Sequence, residues 1–338
     1  MTATTLPEPR SAGDRASGAS AFLPYLARKL AGAVASFIAL LVVGYAIFNL
    51  IPSNPLEAEV RMHPNISPAQ VAFLRQQMGL NESPLQRFGT FVANTLQGHF
   101  GFSWQYQEPV SSLLAQSAGP TLLLTGTATV LAIVVGMWLG IRGGWRPGSL
   151  LDRTSSGVSL AFWSMSPPWL GLMLLVLLPF FPSGGMSTPG GPAGFGHVLD
   201  VAGHMVLPCL TLTLVIYAQF LMVMRSSMVD ELGSPYLLTA RAKGLRDDDV
   251  RSRHAVPNAM LPTVTVIFMQ LGLLVTGAIT VESVFSWPGL GFLTYQALKI
   301  PDLPLLEGLF VVFGASVIMM NLLADIVYRF LDPRVRHQ

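Results

Sequence analysis

Between Ser234 and Pro262 the chain gathers side chains that form ion pairs and hydrogen bonds. Arg241, Lys243, Arg246, Asp247, Asp248, Asp249, Arg251, Arg253 and His254 fall within this stretch, and two long apolar segments flank it. So charged a stretch lies outside a bilayer, because a charged side chain at membrane depth is costly. It reads as a handle by which a soluble partner grips a chain that is otherwise compatible with lipid.

The local signals predict two short helices. Ser234 suits an N-cap and Pro235 the first helical position, where a missing N–H costs nothing. Tyr236 to Lys243 favours helix, and Gly244 suits the left-handed residue that ends one. Asp247, Asp248 and Asp249 open a second helix and complement its dipole, with Arg251 and Arg253 at the far end. Pro257 is expected to stop it. The chain then re-enters the membrane at Pro262.

The spacing resembles the EAA loop of ABC-importer permeases. Gly244 is followed by nine residues and then His254-Ala255-Val256-Pro257. Leu238-Thr239-Ala240 stands where the general pattern has Glu-Ala-Ala. The dipeptide, oligopeptide and nickel permeases share the form seen here: Tyr236, then Thr239, Ala240, Arg241, Ala242, Lys243, Gly244 and Leu245, then His254, Pro257, Asn258, Ala259 and Pro262. Further elements resemble the same family. They include Met78-Gly79-Leu80-Asn81 with Pro84-Leu85, Val281-Glu282-Ser283-Val284-Phe285, Pro288-Gly289-Leu290-Gly291, Asp302-Leu303-Pro304, Asn321-Leu322 and Asp332-Pro333-Arg334. The resemblance covers about residues 22 to 336.

The composition calls for a polytopic membrane protein. Of 338 residues, 51% are hydrophobic and 11% charged, against about 25% charged in a soluble domain. Six apolar runs predict six spans, at about 29–51, 120–141, 159–181, 205–224, 262–285 and 305–330. The third is interrupted by Ser166-Pro167-Pro168, which reads as a kink. The expected fold class is all-α, with the six-helix type I ABC-importer permease fold implied by the resemblance. The domain reading is a disordered cytoplasmic tail over 1–27 and a permease domain over 28–338. Within the latter, an outer segment covers 52–117 and a cytoplasmic loop 226–261. Two amphipathic helices are expected in the outer segment, one from Ser67-Pro68 to Gly79 and one from Ser83-Pro84. The second aligns Leu85, Phe88, Phe91, Val92, Thr95 and Leu96.

Sixteen of the twenty Lys and Arg residues fall on one side of this topology. The positive-inside rule puts both termini and the handle in the cytoplasm, and the resemblance implies a bacterial cytoplasmic membrane. Asp325 is expected to pair with Arg329 one helical turn on.

Several classes of activity lack their motifs. There is no Gly-x-x-x-x-Gly-Lys-Ser/Thr loop for ATP, no Gly-x-Ser-x-Gly and no His-Glu-x-x-His. His197 and His204 share a helical face but have no third ligand for a metal. The lone Cys209 excludes an intrachain disulfide. An ion-coupled carrier predicts charges at mid-membrane in several spans, and the spans here are nearly free of them.

The resemblance implies a transporter subunit without its own ATPase site and with no cofactor of its own, ATP-Mg being held by partners. Those partners are a second, C-type permease, two ABC ATPases and an extracytoplasmic substrate-binding protein, in a lipid membrane and without nucleic acid. The present chain matches the B type, with a long outer loop after its first span. Docking is assigned to Arg246–His254, including Asp249, Val250 and Arg253, with Tyr236, Thr239 and Arg241 as braces. Gln219, Gln270, Thr276, Glu282 and Asn321 are the polar candidates for a translocation path. Di- or oligopeptides are the expected substrates, with nickel chelates or oligosaccharides as alternatives.

Overall fold

The computed structural model describes residues 22–50, 83–272 and 278–331. Its helices are α1 Phe22–Leu50, α2 Pro84–Leu96, α3 Val110–Trp145, α4 Leu150–Trp163, α5 Pro167–Leu177, α6 Phe195–Leu232, α7 Pro235–Ala242, α8 Asp247–Val250, α9 Val256–Gly272, α10 Ile279–Val284, α11 Leu290–Lys299 and α12 Leu303–Leu331. A π turn over Arg251–Ala255 joins α8 to α9. The regular structure is helical, and the two strand-like contacts at Phe102 and Pro109 form an isolated bridge.

α3 and α6 form the central pair. Leu124, Ala128, Ala132, Gly136, Gly140 and Gly144 recur every fourth residue on α3, and all are buried. Small residues at this spacing let two membrane helices approach until their backbones touch. A Cβ at Gly136 would lie 2.6 Å from the Tyr217 carbonyl oxygen, and one at Gly144 would lie 2.7 Å from that of Arg225. Tyr217, Phe220, Leu221, Met224 and Met228 fill the α6 side. Below this seam Asp152, at the start of α4, accepts two hydrogen bonds from Arg225 of α6, from Nε at 2.5 Å and from Nη2 at 2.9 Å.

Four described helices are long and apolar enough to cross a membrane: those at 24–48, 110–145, 195–232 and 303–327. The pair α4 and α5 makes a fifth if its 108° bend is counted as one broken span. The remaining expected span, 262–285, contains residues 273–277, which lie outside the described residues.

Several boundaries differ from the expected ones. α1 starts at Phe22, so residues 22–27 are helical rather than tail, while 1–21 lie outside the described residues. α3 begins at Val110 and carries Pro120 within it, so residues 110–117 of the expected outer segment are already helical. At 36 residues α3 is about 54 Å long, well beyond a hydrocarbon core of about 30 Å. α6 likewise runs on to Leu232, so residues 226–232 extend a helix and the loop proper starts at Gly233. The Ser166-Pro167-Pro168 signal does not kink a helix. Ser166 is the N-cap of α5 and the prolines take its first positions, the place where proline fits best.

Ser83 caps α2 through a reciprocal bond with Gln86. Phe88 and Phe91 of α2 pack on Tyr45 of α1, at ring separations of 5.3 and 5.9 Å. Leu85 and Leu96 of the same predicted stripe stay exposed. The expected helix over 67–79 lies outside the described residues. Buried Asp302 ties the 97–109 loop to the start of α12. Its carboxylate accepts from the Ser103 hydroxyl at 2.5 Å, the Gln105 N–H at 3.1 Å and the Leu305 N–H at 3.3 Å. Burial, with a smaller contribution from the Asp302 charge, pushes the nearby Tyr106 phenol up.

At the opposite end α1 and α12 are joined by Lys29 Nζ, 2.7 Å from Asp325 Oδ2. The side chain of Arg329, the expected local partner of Asp325, lies outside the described residues. The closing partner comes from the other end of the chain because the two helices run antiparallel, with the start of α1 beside the end of α12.

Candidate functional site

The charged stretch folds as a compact hairpin at the ends of α3 and α6. α7 ends where Gly244 adopts φ +78° and its N–H bonds the Arg241 carbonyl at 2.9 Å. A side chain would strain that backbone, which is the reason for glycine here. Asp247, Asp248 and Asp249 form the first turn of α8. Asp248 pairs with Arg251 at 2.9 Å and Asp249 with Arg253 at 3.3 Å.

The helix does not end at Pro257. α8 passes through the π turn straight into α9, with the Val256 N–H reaching back five residues to the Arg251 carbonyl. Pro257 then occupies the first turn of α9, so the widened turn leaves room for a ring that would clash inside a regular helix.

Val250 and Ala255 are fully buried. They pack with Trp145, Met224, Met228, Leu237, Ala240 and Ala259 in one apolar cluster. Val250 and Ala240, placed among the docking residues by sequence, are therefore anchors that hold α8 against the ends of α3 and α6. Arg246, Asp247, Asp248, Ser252 and Arg253 face outward. Arg253 and Asp248 leave about three quarters of their side chains exposed, at 77% and 75%. Ala242, Lys243 and Leu245 are exposed around the glycine break, and Asp249 and His254 are half-buried.

Two side-chain networks brace this hairpin. At the start of α8, the Trp145 indole N–H donates to Asp247 Oδ2 at 2.8 Å. Arg241 lies over the Trp145 ring at 5.3 Å and 3.6 Å from Asp247. At the end of the hairpin, the Tyr236 hydroxyl donates to Glu231 and accepts from Asn258 Nδ2 at 3.0 Å. Burial, and then the Glu231 carboxylate, push the Tyr236 phenol up. Tyr236 and Arg241 thus reach across the hairpin, whereas the Thr239 hydroxyl bonds the Pro235 carbonyl within α7 at 3.2 Å. Trp145 and Glu231 were not picked out from sequence. A tryptophan set among Gly143, Gly144 and Arg146 after an apolar run was the available signal for the first.

The polar residues of the spans differ in exposure. Gln219 on α6 and Gln270 on α9 are half-buried, Asn321 on α12 is exposed, and Thr276 lies outside the described residues. Glu282 has no exposure at all. Its Oε1 accepts from Thr121 at 2.8 Å, and its Oε2 accepts from the N–H groups of Gly291 and Phe292 at 2.8 and 3.0 Å. A carboxylate satisfied in this way caps the N-terminus of α11 and pins it to α3. Glu282 is a buried fastener rather than a wall of a path. Trp287 reinforces it by donating to the Pro120 carbonyl at 2.9 Å.

The family described as binding-protein-dependent transport system inner membrane component matches residues 132–337. The N-terminal unit described for membrane components of the same systems matches residues 22–125. The chain is 38% identical over 320 residues to a protein of Brucella suis biovar 1 provisionally named a peptide permease, covering 93% of this chain and 99% of the relative. It is 34% identical over 318 residues to the glutathione transport system permease protein GsiC of Salmonella choleraesuis, covering 94% and 100%. It is 32% identical over 338 residues to the dipeptide transport system permease protein DppB of Escherichia coli, covering 94% and 99%. Its bundle of apolar helices and its whole matched length agree: the chain belongs to the family of inner membrane components of binding-protein-dependent transport systems.

Proposed function

We propose that this chain is the B-type permease subunit of an ATP-driven importer of di- or oligopeptides, with α8 as its coupling helix. The observation that carries the coupling role is the division of α8 and the π turn into two faces. Val250 and Ala255 are locked into the bundle, while Arg246, Asp248, Ser252 and Arg253 face outward. Such an element moves with the membrane helices when a partner moves it. ATP-Mg is held by two partner ATPases, one of which receives α8. A second permease completes the path, and an extracytoplasmic binding protein delivers substrate. Closure of the ATPases shifts the handle and rocks the spans between two access states.

The names of the relatives support peptides as cargo. Gln219, Gln270, Thr276 and Asn321 are assigned to the path, since polar side chains in a span face protein or water rather than lipid. The distribution of Lys and Arg supports cytoplasmic termini and a cytoplasmic handle in a bacterial inner membrane.

The test is reconstitution of the chain in liposomes with its partner permease, ATPases and binding protein. ATP hydrolysis is then measured with and without a mixed peptide pool. Peptide-stimulated hydrolysis that is lost in Asp248→Lys/Arg253→Glu supports both assignments. Stimulation by a nickel chelate or an oligosaccharide instead keeps the coupling role and changes the cargo. Transport that persists after this double charge reversal removes α8 from the coupling role.

A further inference from the structure

The π turn is the joint between the docking helix and the membrane helix α9. Such a turn makes poorer backbone bonds than an α-helix, and Pro257 brings no N–H to the next turn. Side chains meet the exposed backbone instead. Asn258 Nδ2 donates to the His254 carbonyl at 3.1 Å, and the Tyr236 hydroxyl lies 3.4 Å from the same oxygen. Asn258 also donates to the Tyr236 oxygen, and Tyr236 donates to Glu231. The Ser234 hydroxyl reaches the same Glu231 oxygen at 3.1 Å. A relay of hydrogen bonds therefore runs from the last turn of α6, past α7, to the joint.

We propose that Glu231 is a positioning residue that fixes the angle of the coupling helix. By accepting the Tyr236 hydroxyl hydrogen bond it orients the phenol oxygen as an acceptor for Asn258, and Asn258 is then held on the His254 carbonyl. A charge-assisted bond of this kind is about twice as strong as a neutral one, so it decides which way the phenol points. Without it the hydroxyl turns to other acceptors and the joint loses its fixed geometry. Val250 and the Trp145–Asp247 bond hold the other end of α8. The expected defect is therefore in force transmission, with attachment retained. This inference rests on the coupling role proposed above.

The experiment compares Glu231→Leu with Glu231→Gln in the assembled transporter. Three quantities are read: peptide moved per ATP hydrolysed, the ATPase retained on purification, and hydrogen–deuterium exchange over residues 251–258. Glu231→Leu is expected to move about tenfold less peptide per ATP, in line with the loss of one charge-assisted bond. It should retain its ATPases and exchange about tenfold faster at the joint. Glu231→Gln keeps an acceptor oxygen and is expected to restore both quantities to near the native values. Native exchange in Glu231→Leu overturns the proposal, and so does loss of the ATPases in both variants. If the native complex couples no ATP to peptide but the exchange pattern follows the leucine and glutamine variants as stated, the coupling role fails and the joint clamp stands.

Discussion

The Trp145 indole N–H donates to the Asp247 carboxylate at 2.8 Å and joins the last residue of α3 to the first residue of α8, 102 positions away. The bond ties α8 to the helix that packs along the whole central seam. Trp145→Phe keeps most of the apolar filling and deletes the donor. A hydrogen bond to a charged group contributes about 1.5–3 kcal/mol, so peptide transport is expected to drop severalfold. Asp247→Asn keeps an acceptor and should be milder. Asp247→Ala loses both Trp145 and the Arg241 contact and should be the most severe. An Asp247→Ala variant that transports as well as the native chain would remove this bond from the coupling route.

The α3–α6 seam predicts a sharp difference between two glycines on one helix. A Cβ at Gly140 would lie 2.8 Å from the Leu221 carbonyl oxygen, whereas one at Gly126 meets nothing within 4 Å. Gly140→Ala must push two backbones apart and is expected to cost about 1–3 kcal/mol. Gly126→Ala should be neutral or stabilise by up to about 1 kcal/mol through helix propensity. Thermal unfolding of the two variants in detergent tests this order. Equal melting temperatures would mean that the seam is looser than described.

The contrast between these features shows what the sequence carries. Gly244 with Asp247, Asp248 and Asp249 was legible because helix ends and charged turns are local signals. The boundaries of α3 and α6 were not, because apolar content marks the bilayer and these helices continue past it as packed, more polar turns. Pro167 and Pro168 were ambiguous, since proline in an apolar run either bends one helix or starts another. The α3 stripe from Ala128 to Gly144 was not picked out from sequence, although it recurs every fourth residue, and nothing local names its partner helix. The Lys29–Asp325 and Trp145–Asp247 contacts join residues far apart in the chain, and no local pattern selects them. Glu282 misleads for the same reason. A carboxylate in an apolar span suggests a path until Thr121, 161 residues away, is seen to bind it.

Glu282 should behave as a structural residue. Glu282→Leu leaves the Thr121 hydroxyl and the Gly291 and Phe292 N–H groups buried without their acceptor. Each such group costs about 1–3 kcal/mol, so the variant is expected to fail in assembly or to melt far below the native protein. Glu282→Gln keeps one acceptor oxygen and should be intermediate. A path-lining role predicts a different result, in which Glu282→Leu folds normally and changes which peptides are carried. Melting and transport measured on the same preparation separate the two.

The Asp152–Arg225 and Lys29–Asp325 ion pairs should differ in strength. Asp152 is 2% exposed. It is gripped by Arg225 through two bonds and by the Gly148 N–H at 2.8 Å. Asp152→Ala removes both bonds, but the charge it leaves, Arg225, has 33% of its side chain exposed. The loss is therefore expected to fall below the roughly 3–5 kcal/mol of a fully buried pair while exceeding that of an exposed one. Arg225→Ala, which strands the buried Asp152 carboxylate, should be the more damaging single change, and the double variant should recover part of that loss. Lys29 and Asp325 stand 2.7 Å apart, but each leaves about a third of its side chain exposed, at 34% and 38%. Exposed pairs contribute about 0–1 kcal/mol. Lys29→Ala should shift stability little, and less still in high salt. A double-mutant cycle on each pair measures both coupling energies. Finding the larger value at Lys29–Asp325 would mean that the α1–α12 contact, rather than the α4–α6 contact, is the stronger of the two.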